Sequence, residues 1–99
     1  MKKRKAILLN EKDNVAVALS ALRAGEDVGV EIGGCETTVR LLDSIPRGHK
    51  FAIREIVQGE DVVKYGEAIG VAKRRIGKGE HVHTHNLVSK GGAIGVSGL

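Results

Sequence analysis

The segment Ile56-Val57-Gln58-Gly59-Glu60-Asp61-Val62 shows a pattern that occurs four times in the chain and indicates its fold. Each copy begins with an aliphatic residue, passes through a glycine-containing turn and two polar residues, and ends with a second apolar residue. Glycine permits the tight turn, and the apolar ends anchor it to a core. The irregular spacing argues against a solenoid. The pattern therefore predicts a compact all-β domain. The other copies are residues 22–28, 45–51 and 76–82, and the predicted inward anchors are Val28, Phe51, Val62 and Val82.

The clearest hairpin surrounds Gly33-Gly34, a two-residue loop suited to positive φ. Its strands are predicted over residues 27–32 and 35–42, with Asp27 opposite Arg40 on the polar face. We expect Cys35 to face the core as a small hydrophobe, and a reactive thiol is the alternative. The predicted apolar face consists of Val28, Val30, Ile32, Cys35, Thr37 and Val39.

The remaining segments give shorter predictions. Residues 4–9 are predicted to form an opening strand. Asp13 is then expected to cap a short helix that ends at Gly25. Apolar residues at helical spacing support that helix: Val15, Ala18, Leu19 and Leu22. Gly66 and Gly70 indicate a turn and a close backbone approach. We predict a domain over residues 1–88 and a flexible tail over 89–99.

Composition narrows the possible classes of protein. The chain has 99 residues, which suits one small domain, and its single cysteine excludes an internal disulfide framework. No apolar run reaches the roughly 20 residues of a membrane span. The net charge of +4 comes from the basic start, because twelve acidic residues balance the cations of the remaining chain. We therefore expect a cytoplasmic protein that binds neither nucleic acid nor membrane.

Histidines are concentrated in Gly79-Glu80-His81-Val82-His83-Thr84-His85-Asn86. If this segment is a strand, His81, His83 and His85 share one face, opposite the inward Val82. Alternating imidazoles can bind a divalent transition metal, and a solvated strand face is the alternative. His49 and Lys50 occupy the equivalent rim of the second copy. They offer a titrating base beside a cation, which suits proton abstraction next to a carboxylate, or they are two exposed turn residues.

Several motifs appear in an order that resembles a known family. The order closely resembles the amino-terminal SAF domain of altronate dehydratases, and galactarate dehydratases and the small subunit of sulfolactate sulfo-lyase are similar. The resemblance covers about residues 4–87, and the histidine-rich ending resembles the altronate branch most. The motifs are Asp13-Asn14-Val15-Ala16-Val17-Ala18, Arg47-Gly48-His49-Lys50-Phe51-Ala52, Val63-Lys64-Tyr65-Gly66, Ile69-Gly70 and the histidine segment.

This resemblance implies a β-clip fold, related to the type III antifreeze-like domains. It implies a hydro-lyase system that removes water from a sugar acid, usually with iron or manganese. In that family the large domain carries most of the active site. Because the chain ends at Leu99, we expect a separately encoded small subunit of an altronate-type dehydratase, with the metal bound mainly by a large subunit. The alternatives are a sulfo-lyase small subunit and a non-catalytic module for a carboxylated sugar or a protein. Self-association is compatible with each.

The resemblance also implies roles for individual residues. Dehydration requires a base for the proton next to the carboxylate, a positive charge for the enolate-like intermediate, and an acid for the leaving hydroxyl. His49 and Lys50 match a Gly-His-Lys motif and are the predicted catalytic pair, with Lys50 also binding the carboxylate. Tyr65 and Asn14 are predicted substrate contacts. The predicted metal ligands, or an acid among them, are His81, His83 and His85.

Overall fold

The computed structural model describes residues 4–89, and within them every regular element is a β-strand. The fold is all-β, with several small antiparallel sheets, as the β-clip prediction requires. No helix in this part of the chain has the length and apolar character of a membrane span. The nine strands are β1 (Ala6–Ile7), β2 (Val15–Ala18), β3 (Asp27–Ile32), β4 (Cys35–Arg40), β5 (Lys50–Ala52), β6 (Asp61–Lys64), β7 (Glu67–Ala72), β8 (His81–Val82) and β9 (Leu87–Ser89).

The described strands form a four-stranded central sheet, a two-stranded hairpin and a three-stranded sheet. The central sheet has the order β1-β2-β5-β8, with every neighbouring pair antiparallel. The hairpin β3-β4 stands alone, whereas β6-β7 gains β9 as a third strand. The predicted register of β3-β4 is confirmed along its whole length, from Asp27 opposite Arg40 to Ile32 opposite Cys35.

The four copies of the repeat pair two by two. Leu22 pairs with Ile45, and Ile56 pairs with Ile76, in isolated antiparallel bridges. In each copy the glycine N–H also donates a hydrogen bond to the carbonyl of a residue at or next to the end of a strand. The Gly59 N–H, for example, donates to the Ala72 carbonyl over 2.9 Å. Since the corresponding glycines all have φ between 84° and 89°, the repeated glycine is explained by a left-handed turn.

The inward anchors are confirmed, because Val28, Phe51, Val62 and Val82 are all 0% exposed. Their apolar neighbours form two aliphatic clusters. The first gathers around the copies at 22–28 and 45–51, and the second around those at 56–62 and 76–82. Gly79 lies where a Cβ would overlap the Arg40 carbonyl oxygen, so this turn packs directly against the end of β4. Burial of each anchor therefore fixes the position of the two polar residues that precede it in the repeat.

The predicted helix after Asp13 is wrong. Residues Val15–Ala18 form β2, which lies between β1 and β5; three of its four residues are buried and Val17 is half-buried, so both faces are covered. A strand with two covered faces carries a continuous apolar run, and such a run also matches helical spacing. Leu19, a member of the predicted helical face, is 44% exposed. The Asp13 carboxylate instead accepts the backbone N–H groups of Tyr65 and Gly66.

Other predictions need smaller corrections. Cys35 is exposed rather than buried, because the tip of β3-β4 extends past the core and Ile32 is only half-buried there. The opening strand is limited to Ala6–Ile7. The close backbone approach at Gly70 is confirmed, since a Cβ there would overlap the Val88 carbonyl oxygen. Ser89, the first residue of the predicted tail, ends β9, and residues 90–99 lie outside the described residues.

Candidate metal centre

The repeat itself explains why His49 is available for a site. In three copies the residue after the glycine is a glutamate whose carboxylate accepts a backbone N–H from three positions earlier. Val57 N donates to Glu60 Oε1 over 3.0 Å, for example. The second copy has Pro46 at the donor position, and proline has no N–H. The residue after Gly48 therefore has no N–H to accept from position 46, and the second copy has His49 there instead of a glutamate. The other two pairs are Arg23 with Glu26 and Gly77 with Glu80.

His49 meets two imidazoles from the fourth copy. The backbone of β5 pairs with that of β8, with Phe51 opposite His81. His49 Nδ1 lies 2.9 Å from His81 Nε2, so one of these nitrogens donates a hydrogen bond to the other. The His49 and His83 rings stack with their centroids 4.7 Å apart. One nitrogen from each of the three rings lies within 4.8 Å of the others. We call these three residues the imidazole cluster.

His85 lies beside this cluster rather than within it. Strand β8 ends at Val82, so the predicted extended ladder through His85 is wrong as a strand. Residues 83–86 turn instead, with the Asn86 N–H donating to the His83 carbonyl. The turn places the His85 ring 5.5 Å from the His81 ring, measured between centroids. The three rings that meet are thus His49, His81 and His83, and metal binding by His85 stays a prediction.

Electrostatics favour the neutral form of two of the rings. Burial lowers the pKa of His81, and repulsion from His49, His85 and His83 lowers it further, although Asp43 opposes the shift. The His83 pKa is lowered by partial desolvation and then by the same kind of repulsion, including that from Lys50. A neutral imidazole offers a free nitrogen lone pair, which is the form that binds a metal.

The donor set fits a divalent transition metal. Imidazole nitrogens bind such ions at about 2.1 Å, which places neighbouring ligand nitrogens roughly 3.0–3.4 Å apart. The 2.9 Å between His49 Nδ1 and His81 Nε2 is close to that spacing, and the ligand nitrogens of all three rings lie within 4.8 Å of one another. Three imidazoles leave further coordination positions open, as catalytic metal sites do.

Lys50 lies next to the cluster. It is half-buried, and burial, followed by repulsion from Lys64, lowers its pKa. Lys64 Nζ is 5.1 Å from the centroid of the Tyr65 ring. Tyr65 is 63% exposed and has a φ of 59°, which L-residues with large side chains seldom adopt. The Asp13 carboxylate stabilises this strained turn by accepting two of its N–H groups.

Asn14, another predicted substrate contact, is buried and occupied. It is 1% exposed, its Nδ2 donates to the Asp61 carbonyl, and its Oδ1 accepts from the Val63 N–H. A substrate contact by this side chain stays a prediction, because it would require these bonds to break. The helix-capping role predicted for Asp13 is likewise replaced by its contacts to the β6-β7 hairpin.

A shallow depression of about 500 Å³ opens beside the cluster. Arg74 and Glu80 form an ion pair at its edge, with Arg74 Nη2 2.9 Å from Glu80 Oε2. The Asp43 carboxylate accepts the backbone N–H of His81. The depression therefore presents an Arg–Glu ion pair, a carboxylate and two imidazoles to solvent. Its lining residues are Leu42, Asp43, Arg74, Glu80, His81 and His85.

The fold and this site define a β-clip domain with a histidine-rich rim. The chain belongs to the family described as the altronate/galactarate dehydratase SAF domain, whose model matches residues 4–90. It is 46% identical over 80 residues to the altronate dehydratase of Escherichia coli strain K12 and 38% identical over 80 residues to that of Bacillus subtilis strain 168. Each match covers 81% of this chain and 15% of the relative. The chain thus corresponds to a small part of these dehydratases.

A relative of another kind is similar over a shorter stretch. The chain is 50% identical over 48 residues to the (2R)-sulfolactate sulfo-lyase subunit alpha of Chromohalobacter salexigens. That match covers 48% of this chain and 51% of the relative. The recognition of the family from the order of its motifs is therefore confirmed, and the relatives of the chain include lyases of two kinds.

Sequence reasoning missed three residues that shape the site. Pro46 was detectable, because it is the one residue at its position in the repeat that cannot donate an N–H. Asn86 ends the histidine segment and was given no role from the sequence, although it is fully buried. Asp43 gave no sequence signal, because its contact with His81 joins residues 38 positions apart.

Proposed function

We propose that this chain is the SAF component of a sugar-acid dehydratase of the altronate type, and that it acts with a separately encoded large subunit. The observation that carries the proposal is the imidazole cluster, which combines three histidines from two distant turns in a chain of this family. The similarity to a protein named as a subunit alpha supports a multi-subunit arrangement.

In this proposal His49, His81 and His83 hold a divalent iron or manganese ion at the boundary with the large subunit, which supplies further ligands. A metal bound there would act as a Lewis acid towards oxygen atoms of the sugar acid. Lys50 provides a positive charge beside the cluster for the substrate carboxylate. His85, whose ring centroid is 5.5 Å from that of His81, would exchange a proton with the substrate. The base role predicted for His49 is the alternative use of the same ring.

The nearby turn would contribute to substrate binding. Tyr65 projects from the β6-β7 hairpin with Lys64 against its ring, and Lys64 is close enough to Lys50 to lower the pKa of that lysine. These groups together form a cationic margin that suits an acidic sugar. Since two half-buried lysines at an open surface bind a carboxylate weakly, the large subunit is expected to enclose the substrate against this margin.

A sulfo-lyase role is the second candidate, and the identity to a sulfolactate sulfo-lyase subunit alpha supports it. Both substrates present a carboxylate next to a carbon that carries the reacting hydrogen. The same cluster and cationic margin would serve either reaction, so the large subunit would decide which group leaves.

The test is co-expression with a candidate large subunit, followed by assays of dehydration of altronate and galactarate and of desulfonation of sulfolactate. We expect a stable complex, bound iron or manganese, and turnover of one substrate class. H49A should abolish turnover and reduce the metal content, whereas T84A, a change at an exposed residue of the turn 83–86 beside the cluster, should preserve both. A complex without turnover, or full metal content in H49A, would contradict the proposal.

A further inference from the structure

Asn86 is the most completely engaged polar side chain near the imidazole cluster. It is 0% exposed. Its Nδ2 donates to the His81 carbonyl over 2.8 Å and to Glu80 Oε2 over 3.2 Å. Its Oδ1 accepts the His83 backbone N–H over 2.9 Å. One amide therefore bonds the main chain on both sides of Val82, at the two residues that carry rings of the cluster.

These bonds determine where the two rings can lie. Val82 is completely buried and fixes the middle of the segment, but β8 ends there and no ladder partner holds His83. Without Asn86, the His83 N–H and the His81 carbonyl would lose their partners inside the turn. The backbone of residues 83–86 would then be free to change conformation, and the His83 ring would move away from His49.

The chain contains a matched arrangement without histidines on the clamped segment. Asn14 bonds the Asp61 carbonyl over 2.9 Å and the Val63 N–H over 2.8 Å, on both sides of the buried anchor Val62. The two asparagines thus clamp equivalent positions in the third and fourth copies of the repeat. Comparable variants of both separate a general loss of stability from a specific effect on the histidines.

We infer that Asn86 is a positioning residue, which holds His81 and His83 in the arrangement that meets His49. It neither contacts a ligand nor exchanges a proton, and it acts only through the backbone of the two histidines. The effect on metal affinity rests on the proposed metal site, whereas the effect on ring geometry stands on the hydrogen bonds alone. Second-sphere groups that orient metal ligands typically change affinity by about 10- to 100-fold.

The first readout is metal-independent. Ring centroids 4.7–5.6 Å apart should give cross-peaks between ring protons of His49, His81 and His83 in nuclear Overhauser spectra of the metal-free chain. We expect N86A to lose the cross-peaks that involve His83 while remaining folded, and N14A to keep them. If N86A does not fold, N86S replaces it, because serine is polar but too short to reach both the His83 N–H and the His81 carbonyl.

Three results would overturn the inference: a folded N86 variant that keeps all the cross-peaks, equal losses in the N86 and N14 variants, and a wild-type chain without the cross-peaks. Titration with Mn²⁺ gives the second readout, with affinity expected to fall about 10- to 100-fold in N86A and less than about threefold in N14A. Wild-type cross-peaks without Mn²⁺ binding would contradict the proposed metal site and leave the positioning role supported.

Discussion

A double substitution at Pro46 and His49 should restore the glutamate-capped turn found in the other three copies. P46A returns a backbone N–H to the donor position, and H49E supplies the carboxylate that accepts it. In the third copy the same pair, Val57 N and Glu60 Oε1, is 3.0 Å apart. Because the second copy has the same glycine geometry, with φ of 84° at Gly48 against 87° at Gly59, the new bond needs no change of backbone.

The expected gain follows from the kind of bond and its exposure. A hydrogen bond from a backbone N–H to a charged acceptor contributes about 1.5–3 kcal/mol when well shielded. Since Pro46 is exposed, about 1 kcal/mol is a suitable expectation. P46A alone should destabilise the chain by roughly 0.4–1 kcal/mol, because the unfolded chain becomes more flexible. The loss of His49 contacts occurs in H49E with or without P46A and therefore cancels in a double-mutant cycle.

The measurement is urea unfolding of the four variants, followed by circular dichroism. We expect a favourable coupling free energy of about 1 kcal/mol between the two substitutions, equivalent to roughly 4–8 °C in Tm for a chain of this size. The matched cycle uses V57P and E60A in the third copy. There, removal of the Val57 N–H should reduce the destabilisation caused by E60A by a similar free energy. A coupling free energy within about 0.3 kcal/mol of zero at Pro46 and His49 would refute the reasoning, because that is the usual additivity error.

Three other changes test the fold directly. G79A should destabilise the chain by at least about 2 kcal/mol more than G59A in chemical denaturation. The two glycines have nearly the same φ, but only a Cβ at Gly79 would overlap a backbone carbonyl. Equal losses of stability in the two variants would contradict this close packing. Y65N should raise the free energy of unfolding by about 1 kcal/mol, since asparagine tolerates positive φ better than tyrosine, while lowering activity of the proposed complex; a loss of stability would argue against backbone strain. E26Q should make stability less sensitive to acid. Hydrogen bonds from Lys5 and the Arg23 N–H hold the Glu26 pKa below its usual 4.5. The stability that these bonds add is therefore present above pH 4.5 and is lost as the pH falls through the lowered pKa. Identical profiles of stability against pH for E26Q and wild type would exclude this contribution.

The sequence predicted the elements that repeat or close locally. The Gly33-Gly34 hairpin was correct in every pair, because a two-residue loop leaves one register that keeps Val28 and Val30 on the buried face. The repeated turns were correct because glycine and two apolar anchors specify them within seven residues. The helix was wrong because Val15–Ala18 is covered on both faces, and a fully buried strand loses the alternation that distinguishes it from a helix.

Family membership and the all-β class were therefore determined by the sequence alone, since both depend on the order and local pattern of motifs in the chain. The composition of the candidate site was decided by tertiary structure. Spacing grouped His81, His83 and His85, but His49 joins from 32 residues away because β5 pairs with β8. Asn86 could be recognised only when its amide was seen beneath the turn. Local rules operate over a few residues, whereas a site made from two distant turns depends on strand pairing, which no local pattern encodes.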